Sequence, residues 1–386
     1  MFCFEKMKIT YLIDGMYNSA GMERVVANKV NYLSSLGYNI TILTTNQKNR
    51  DYFYSIPECV TKIDLDINFD DYIKSNIFIR LQSYSKKKVL FKERLSYFLL
   101  NNKQDILICL MTRGMEFLFD IPDGSKKICE CHFNRYSNYY IGKADNRTFI
   151  QRIVYSIRDF WIRKRIKKFD RFVVLTQEDK KYWGNAYSNI ICIPNSITYA
   201  KNVASLKNKV VLAVGRLNYQ KGFDILLSIW ALISPRFPDW KLHIYGSGED
   251  SEKLEKLAKS LGIISSVIFF SPTQRIDEVF LSSSIFAFPS RFEGLPMVLL
   301  EAMNKGLPSV AFNCKCGPSD IIKNSENGFL CNMGDNKSFQ NALEMLMSSY
   351  DLRVKMGYKA NLSVRDYDHH IIMRKWDNLF KELLKS

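Results

Sequence analysis

The chain has 386 residues, enough for two or three domains with complete cores. Hydrophobic residues make up 47% of it, which excludes an intrinsically disordered protein. The net charge of +16 is uneven, because residues 1–200 carry 31 Lys and Arg against 20 Asp and Glu, and such a basic half indicates an anionic partner: a phosphate ligand, a nucleic acid or an anionic lipid surface.

A strand-helix-strand pattern opens the chain. Lys8–Asp14 is predicted to be a short apolar strand, and a loop from Gly15 to Gly21 leads to helical spacing over Glu23–Leu33. The next strand is predicted at Tyr38–Thr44, and such units imply a parallel sheet. Further strands are predicted at 105–111, 127–131 and 171–175. Residues 193–209 are polar and are interpreted as a linker.

A second alternating series begins with the predicted strand Lys209–Gly215. It continues with helices at 223–234, 249–260 and 275–282, strands at 240–245 and 266–270, and a strand-loop-helix over 286–303. Short strands at 310–312 and 328–331 precede helices near 336–347, 350–362 and 368–385. The fold class is therefore α/β, with two doubly wound Rossmann-like domains facing a cleft, and ligands are expected at the carboxyl ends of the strands.

The segment Phe286–Met303 carries two carboxylates eight residues apart. Glu293 lies in the predicted loop, and Glu301 lies in an otherwise apolar helix, where a buried carboxylate needs hydrogen-bond donors such as sugar hydroxyls. Gly294, Leu295 and Pro296 lead into that helix, and Pro296 suits its first position because proline has no N–H to leave unpaired. The free amides of the helix start would bind an anion such as a diphosphate.

Two cations lie on the loop after the strand at 209–215. Arg216 and Lys221 stand beside Gly215 in the stretch Val214–Asp224, which opens a helix. Arginine can hold phosphate oxygens bidentately, and lysine adds a point charge. The alternative is an exposed loop with ordinary charges, which the neighbouring glutamate motif disfavours.

These motifs resemble those of the family 4 retaining glycosyltransferases, which have the two-domain GT-B fold. The resemblance rests on Glu293-x7-Glu301 within Pro-Ser-x-x-Glu-Gly-Leu-Pro, and it extends over nearly the whole chain. It implies that Arg216 and Lys221 stabilise the departing diphosphate, Glu293 holds hydroxyls of the donor sugar and Glu301 holds the ribose. It also implies an N-terminal acceptor-binding domain at 1–200, joined by the last helix at 368–386, and a nucleotide-sugar-binding domain at 205–365.

Other donor-site residues are expected from the same resemblance. Gly21 would offer its backbone to the donor phosphate or acceptor, although the family's first glycine is replaced here by Ala20. His132 resembles the family histidine beside the reaction centre, and Ser271 would lie beside the base. Gly215, Gly294, Leu295 and Pro296 complete the expected donor site. A tight turn at Gly21 and a structural histidine at 132 are the alternatives.

The expected activity is retaining transfer of a hexose or N-acetylhexosamine from a nucleotide-sugar, of the UDP type, to a hydroxyl of a lipid-linked glycan in capsule, O-antigen or exopolysaccharide assembly. No cofactor and no metal are expected, and Asp64-Leu-Asp66, which mimics a metal-binding motif of another glycosyltransferase fold, is interpreted as chance. A sugar-nucleotide epimerase with the same fold and a basic nucleic-acid-binding protein are the alternatives.

Two basic segments bear on where the protein acts. Residues 158–171 hold seven cations interleaved with aromatics, and residues 74–103 hold eight Lys and Arg against one acid. They are expected to dock an anionic membrane surface, the alternative being a solvated helix face with Phe160, Trp161 and Ile166 in the core. No apolar run approaches the ~18 residues of a membrane span. Without a signal-peptide pattern or disulfide spacing, the protein is expected at the inner face of the cytoplasmic membrane, with reduced thiols and no nucleic acid bound.

Overall fold

A computed structural model describes residues 6–18, 21–72, 77–111, 117–135, 149–184 and 186–385. Within them the chain forms two α/β domains, each built on a parallel sheet. In each sheet the first strand is central, the next two strands are added on one side of it, and the later strands are added on the other side. This is the doubly wound pattern. The expected fold class is confirmed.

The first domain has the strand order β3-β2-β1-β4-β5-β6-β7. Its strands are β1 Lys8–Ile13, β2 Asn39–Thr44, β3 Thr61–Asp64, β4 Ile106–Leu110, β5 Lys126–Cys131, β6 Arg171–Val174 and β7 Ile190–Cys192. Its helices are α1 Gly21–Ser35, α2 Ile77–Asn101, α3 Phe149–Ile166 and α4 Gln177–Trp183. Helices α2 and α4 and strand β7 were not predicted from the sequence.

The second domain has the strand order β10-β9-β8-β11-β12-β13. Its strands are β8 Val210–Val214, β9 Lys241–Tyr245, β10 Val267–Phe270, β11 Ile285–Phe288, β12 Ser309–Asn313 and β13 Gly328–Asn332. Its helices are α5 Phe223–Ile233, α6 Ser251–Ser260, α7 Ile276–Leu281, α8 Met297–Asn304, α9 Pro318–Ile321, α10 Asn336–Ser348 and α11 Tyr350–Ser363. Helix α12, His369–Lys385, closes the chain.

Helix α12 returns to the first domain, as expected. One face of the helix is apolar at helical spacing, and its buried side chains join the cluster formed by β1, β2, β4 and α1. Those side chains are Ile372, Met373, Trp376, Leu379, Phe380 and Leu383. The core of the first domain is therefore assembled from both ends of the chain.

Each sheet is covered by apolar side chains on both faces, as buried parallel sheets require. One cluster crosses the domain boundary, since Leu175, which follows β6, packs with Leu295 and Leu299 of the second domain. In the described part of the chain, no helix combines the length and the apolar character that crossing a bilayer requires.

Candidate active site

Two loops meet at the carboxyl edge of the second sheet. We call residues 215–222, which follow β8, the cation loop, and residues 289–296, which follow β11, the glutamate loop. Strands β8 and β11 are hydrogen-bonded neighbours, with Ile285 opposite Val211. The sheet therefore brings together Arg216, Lys221 and Glu293, which are far apart in the sequence.

An ion pair that was not predicted joins the glutamate loop to the first turn of α5, and a backbone hydrogen bond beside it joins the two loops. Arg291 donates to both carboxylate oxygens of Asp224, at 2.9 and 2.7 Å, and its amide donates to the carbonyl of Gln220 at 2.8 Å. Burial opposes the charge on each partner, but the pairing outweighs it, so the pKa of Asp224 is lowered and that of Arg291 is raised. The cation loop is thus held in place before any ligand arrives.

Two glycines allow close packing at this edge of the sheet. Gly222 has φ of +67°, and a Cβ there would lie 2.2 Å from the carbonyl oxygen of Pro289, so the position requires glycine on both counts. A Cβ at Gly215 would lie 3.2 Å from the aliphatic carbons of Lys221. The absence of a side chain at Gly215 lets the Lys221 chain lie flat across it.

Lys221 and Glu293 form an ion pair at the centre of this edge. Lys221 Nζ lies 2.7 Å from Glu293 Oε1, and the carboxylate is 8% exposed. Among the described residues, none donates to Oε2 of Glu293, and that oxygen keeps contact with solvent. Arg216 is exposed and makes no ion pair within the described ranges. The site therefore offers an acceptor oxygen and an uncommitted cation.

The segment after Glu293 differs in detail from the prediction. Pro296 is buried and immediately precedes α8, which begins at Met297, so proline is not its first residue. No side chain caps α8, which leaves its first amides available. The side chain of Leu295 is buried in the core, so only its backbone can meet a ligand.

Glu301 is paired with a residue of the other domain. Its Oε1 lies 2.5 Å from Nη2 of Arg24 on α1, and the carboxylate is one-fifth exposed rather than enclosed in the apolar helix. Burial lowers the pKa of Arg24, but the contact with Glu301 outweighs this and raises it. The group expected to hold a ribose is therefore already occupied by a cation.

The first domain contacts the glutamate loop through the residues after β5. Asn134 is buried and donates to the backbone carbonyl of Glu293. A Cβ at Gly294 would lie 2.9 Å from the carbonyl of His132, so glycine permits the backbones to approach. Asn134 was not predicted as a site residue, although it belongs to the same short strand-end segment as His132.

The Nε2 edge of the His132 ring faces the interior of the first domain. Its Nε2 lies 3.1 Å from Oε2 of Glu130, and the ring is 5% exposed. Gly21 begins α1 with open space around it, and Ser271 is exposed after β10. Both lie at carboxyl edges of their sheets, as predicted, but no described contact joins them to the ion pair of Lys221 and Glu293.

No cluster of three or more His, Cys, Asp or Glu suited to a metal ion occurs within the described ranges. The carboxylate of Asp64, from the motif interpreted as chance, accepts from the amides of Gln47 and Lys48 at 3.1 Å each. Asp64 therefore holds the loop after β2.

Known proteins resemble this chain in sequence and in fold. The family model "Glycosyl transferases group 1" matches residues 197–362, which include both loops. An uncharacterized glycosyltransferase of Haemophilus influenzae is 31% identical, with 96% of this chain and 99% of that protein covered. The amylovoran biosynthesis glycosyltransferase AmsD of Erwinia amylovora is 30% identical over the same shares.

A more distant relative is an N-acetylgalactosaminyltransferase of Campylobacter jejuni that acts on an undecaprenol-diphosphate-linked glycan. It is 22% identical, with 98% of this chain and 99% of that protein covered. Among solved structures, TarM of S. aureus in complex with UDP superposes with a TM-score of 0.75 at 16% identity, over 97% of this chain and 99% of that chain. This likeness shows that the two proteins have the same fold.

Proposed function

The chain belongs to the glycosyl transferases group 1 family, and within it we propose a retaining family 4 enzyme. It moves a hexose or N-acetylhexosamine from a nucleotide-sugar, of the UDP type, to a hydroxyl of a lipid-linked glycan. The supporting observation is the pair of Lys221 and Glu293, in which a cation for the leaving group and a carboxylate for the sugar are 2.7 Å apart. One carboxylate oxygen remains without a donor among the described residues.

In this proposal the donor diphosphate lies between Arg216, Lys221 and the uncapped start of α8. These groups stabilise the negative charge that develops on the leaving phosphate. Because two side-chain cations and a helix end supply the positive charge, no metal is required. Glu293 accepts from hydroxyls of the donor sugar, which places the anomeric carbon next to the diphosphate.

Retention follows from front-face substitution. The bond from the anomeric carbon to the phosphate oxygen breaks, and the bond to the acceptor oxygen forms on the same face. The leaving phosphate takes the proton of the acceptor hydroxyl, so no side chain serves as a covalent nucleophile. His132, across the cleft, lies beside the donor sugar.

Glu301 holds the ribose once Arg24 has released it. The pair of Arg24 and Glu301 joins α1 to α8 and therefore spans the two domains. Donor binding exchanges this ion pair for hydrogen bonds to ribose hydroxyls, so the Arg24 side chain moves away from α8 when the donor enters. We assign donor binding to residues 205–365, and acceptor binding to residues 1–200 together with 368–386.

The acceptor is proposed from the relatives named above, which act in amylovoran biosynthesis and on an undecaprenol-diphosphate glycan. The surface of α3 is suited to binding a membrane, because Phe160 and Trp161 are 62% and 47% exposed. The alternative that they enter the core is wrong for both, whereas Ile166 is buried. Lys164 is exposed and lies over the ring of Trp161, and Lys167 and Lys168 are exposed just after the helix.

We expect this surface to bind anionic lipid at the inner face of the cytoplasmic membrane. Each cation near the lipid contributes about 1 kcal/mol, and the aromatic rings insert at the headgroup level. Co-sedimentation with phosphatidylglycerol vesicles should be lost in the double variant Phe160→Ser, Trp161→Ser. Tyr358→Ser, at an equally exposed ring on α11, is the matched control. Equal sedimentation of the double variant and the control would refute docking through α3.

The test of the reaction is nucleotide release from a panel of UDP- and GDP-sugars with membrane lipid extract as acceptor. We expect acceptor-dependent release from one UDP-sugar, and loss of that release in Glu293→Ala. A sugar-nucleotide epimerase would instead convert the donor without acceptor. Full activity of Glu293→Ala would remove Glu293 from the site. Absence of release and of UDP binding, together with salt-sensitive binding to DNA or RNA, would favour the nucleic-acid alternative.

A further inference from the structure

A cluster of charged side chains is buried beneath His132, on the face of β5 that α1 and α12 cover. Oε2 of Glu130 lies 3.1 Å from Nε2 of His132 and 2.5 Å from Nζ of Lys29 on α1. The side chains of Glu130, Lys29 and His132 are 1%, 4% and 5% exposed. Lys29 and His132 therefore share one carboxylate oxygen of Glu130 inside an apolar layer.

The surroundings of this cluster are those of a core. The ammonium of Lys29 lies 3.9 Å from the ring centroid of Trp376 on α12, and the neighbouring side chains of β1, β4 and α12 are apolar. The buried hydroxyl of Tyr11 on β1 has no partner among the described residues. Replacing a buried ion pair of this kind by apolar residues is often neutral or stabilising, so stability alone does not account for it.

The protonation of Glu130 and Lys29 is set by their burial and by the charged groups that contact them. Burial raises the pKa of Glu130, but Lys29 and His132 outweigh it and bring the pKa to about 2, while burial lowers the pKa of Lys29. Glu130 is thus an ionised carboxylate that can only accept hydrogen bonds. A neutral imidazole facing it must carry its proton on Nε2, which leaves Nδ1 as an acceptor.

We propose that Glu130 and Lys29 are a buried positioning pair for His132, in which Glu130 fixes the ring and its tautomer, and Lys29 keeps Glu130 in place. The inference rests on the proposed function, in which His132 lies beside the donor sugar. Nδ1 has no hydrogen-bond partner among the described residues and is not among their fully buried, unpartnered atoms. The pair therefore leaves Nδ1 ready to accept from a sugar hydroxyl, and no residue of the pair contacts the substrate itself.

The same strand supplies a matched control. At the opposite, amino end of β5, Lys127 Nζ lies 2.6 Å from Oδ1 of Asp123, and these side chains are 10% and 0% exposed. This pair is comparably buried but lies away from the carboxyl edge where the candidate site is. Asp123→Asn and Lys127→Met therefore control for the loss of a buried charge in β5.

The direct test is the tautomer of His132, read from the ring nitrogen shifts of the ¹⁵N-histidine-labelled protein. The chain has four histidines, and His132→Gln identifies the signal. We expect the proton on Nε2 in the unaltered protein and in Asp123→Asn, and a mixture of tautomers in Glu130→Gln, because an amide can donate or accept. A proton on Nδ1, or an unchanged spectrum in Glu130→Gln, would overturn the proposal. This readout does not require transferase activity.

Kinetics give the second test. We expect Glu130→Gln and Lys29→Met to lower kcat about 10- to 100-fold, the range known for groups that orient metal-bound histidines, with the donor KM nearly unchanged. The double variant Lys29→Met, Glu130→Leu should fold and be as impaired as the single variants. Wild-type kcat in this folded double variant would contradict the proposal. Full activity of His132→Gln would instead count against the role of His132 in the proposed function. The tautomer measurement would still decide whether Glu130 and Lys29 position the ring.

Discussion

Lys221→Ala is expected to lower kcat for sugar transfer by about 100- to 1,000-fold, the usual effect of removing one preorganised group that stabilises charge in a transition state. The variant removes the ammonium that lies 2.7 Å from Glu293 and that would neutralise the leaving diphosphate. The cavity left at the cleft admits water to Glu293, so the loss of folding stability should be small. Steady-state kinetics at saturating donor and a thermal melt measure the two effects.

The control for Lys221→Ala lies at the other end of the same strand. Lys209 precedes β8 and pairs with Asp239 at 2.7 Å, with more than half of each side chain exposed. Such an exposed pair contributes little, so Lys209→Ala should retain kcat within about twofold of the unaltered protein. If Lys221→Ala kept kcat close to that of Lys209→Ala, Lys221 would not belong to the reaction centre.

Gly222→Ala is expected to lower the free energy of unfolding by about 3 kcal/mol or more. Its Cβ would lie 2.2 Å from the carbonyl oxygen of Pro289 and 3.1 Å from the carbonyl carbon. Both contacts are with backbone at the end of β11, which cannot turn aside as a side chain can, so the cation and glutamate loops must separate. Urea unfolding followed by circular dichroism measures the loss.

Gly262→Ala isolates the backbone contribution to that loss. Gly262 has φ of +71°, close to the +67° of Gly222, but a Cβ there meets nothing within 4 Å. Only the left-handed conformation is then penalised, at about 1 kcal/mol. If Gly222→Ala and Gly262→Ala destabilised the protein equally, the contact between the added Cβ and the Pro289 carbonyl would cost nothing. That result would contradict the close packing of the two loops.

The sequence predicted the second domain more fully than the first. Strands β8 to β11 are short apolar runs bounded by turns, and the loops after β8 and β11 carry recognisable motifs, so their meeting followed from the parallel sheet. Helix α2 lacks such signals. Its lysines and arginines are interspersed among the apolar residues, and its first turn contains no acidic residue. Strand β7 has three residues, too few for a periodic pattern to be recognised.

Contacts between the domains could not be read from the sequence. Arg24 and Glu301 are 277 residues apart, and their pairing depends on how the two domains face each other rather than on any local pattern. The same holds for Asn134 and the carbonyl of Glu293. Leu295 was predicted near the donor because it lies in the glutamate motif, yet its side chain packs in the core. A motif locates a loop, whereas burial decides which of its atoms face outward.

The return of α12 to the first domain has a consequence for the order of events during synthesis. Trp376 and Phe380 are fully buried against strands β1, β2 and β4 of the first domain, so that domain cannot complete its core until α12 has left the ribosome. Strands β8 to β13 are translated earlier and can close around their own core first. We therefore expect the second domain to complete its core before the first, the reverse of the usual order in which the N-terminal domain folds first.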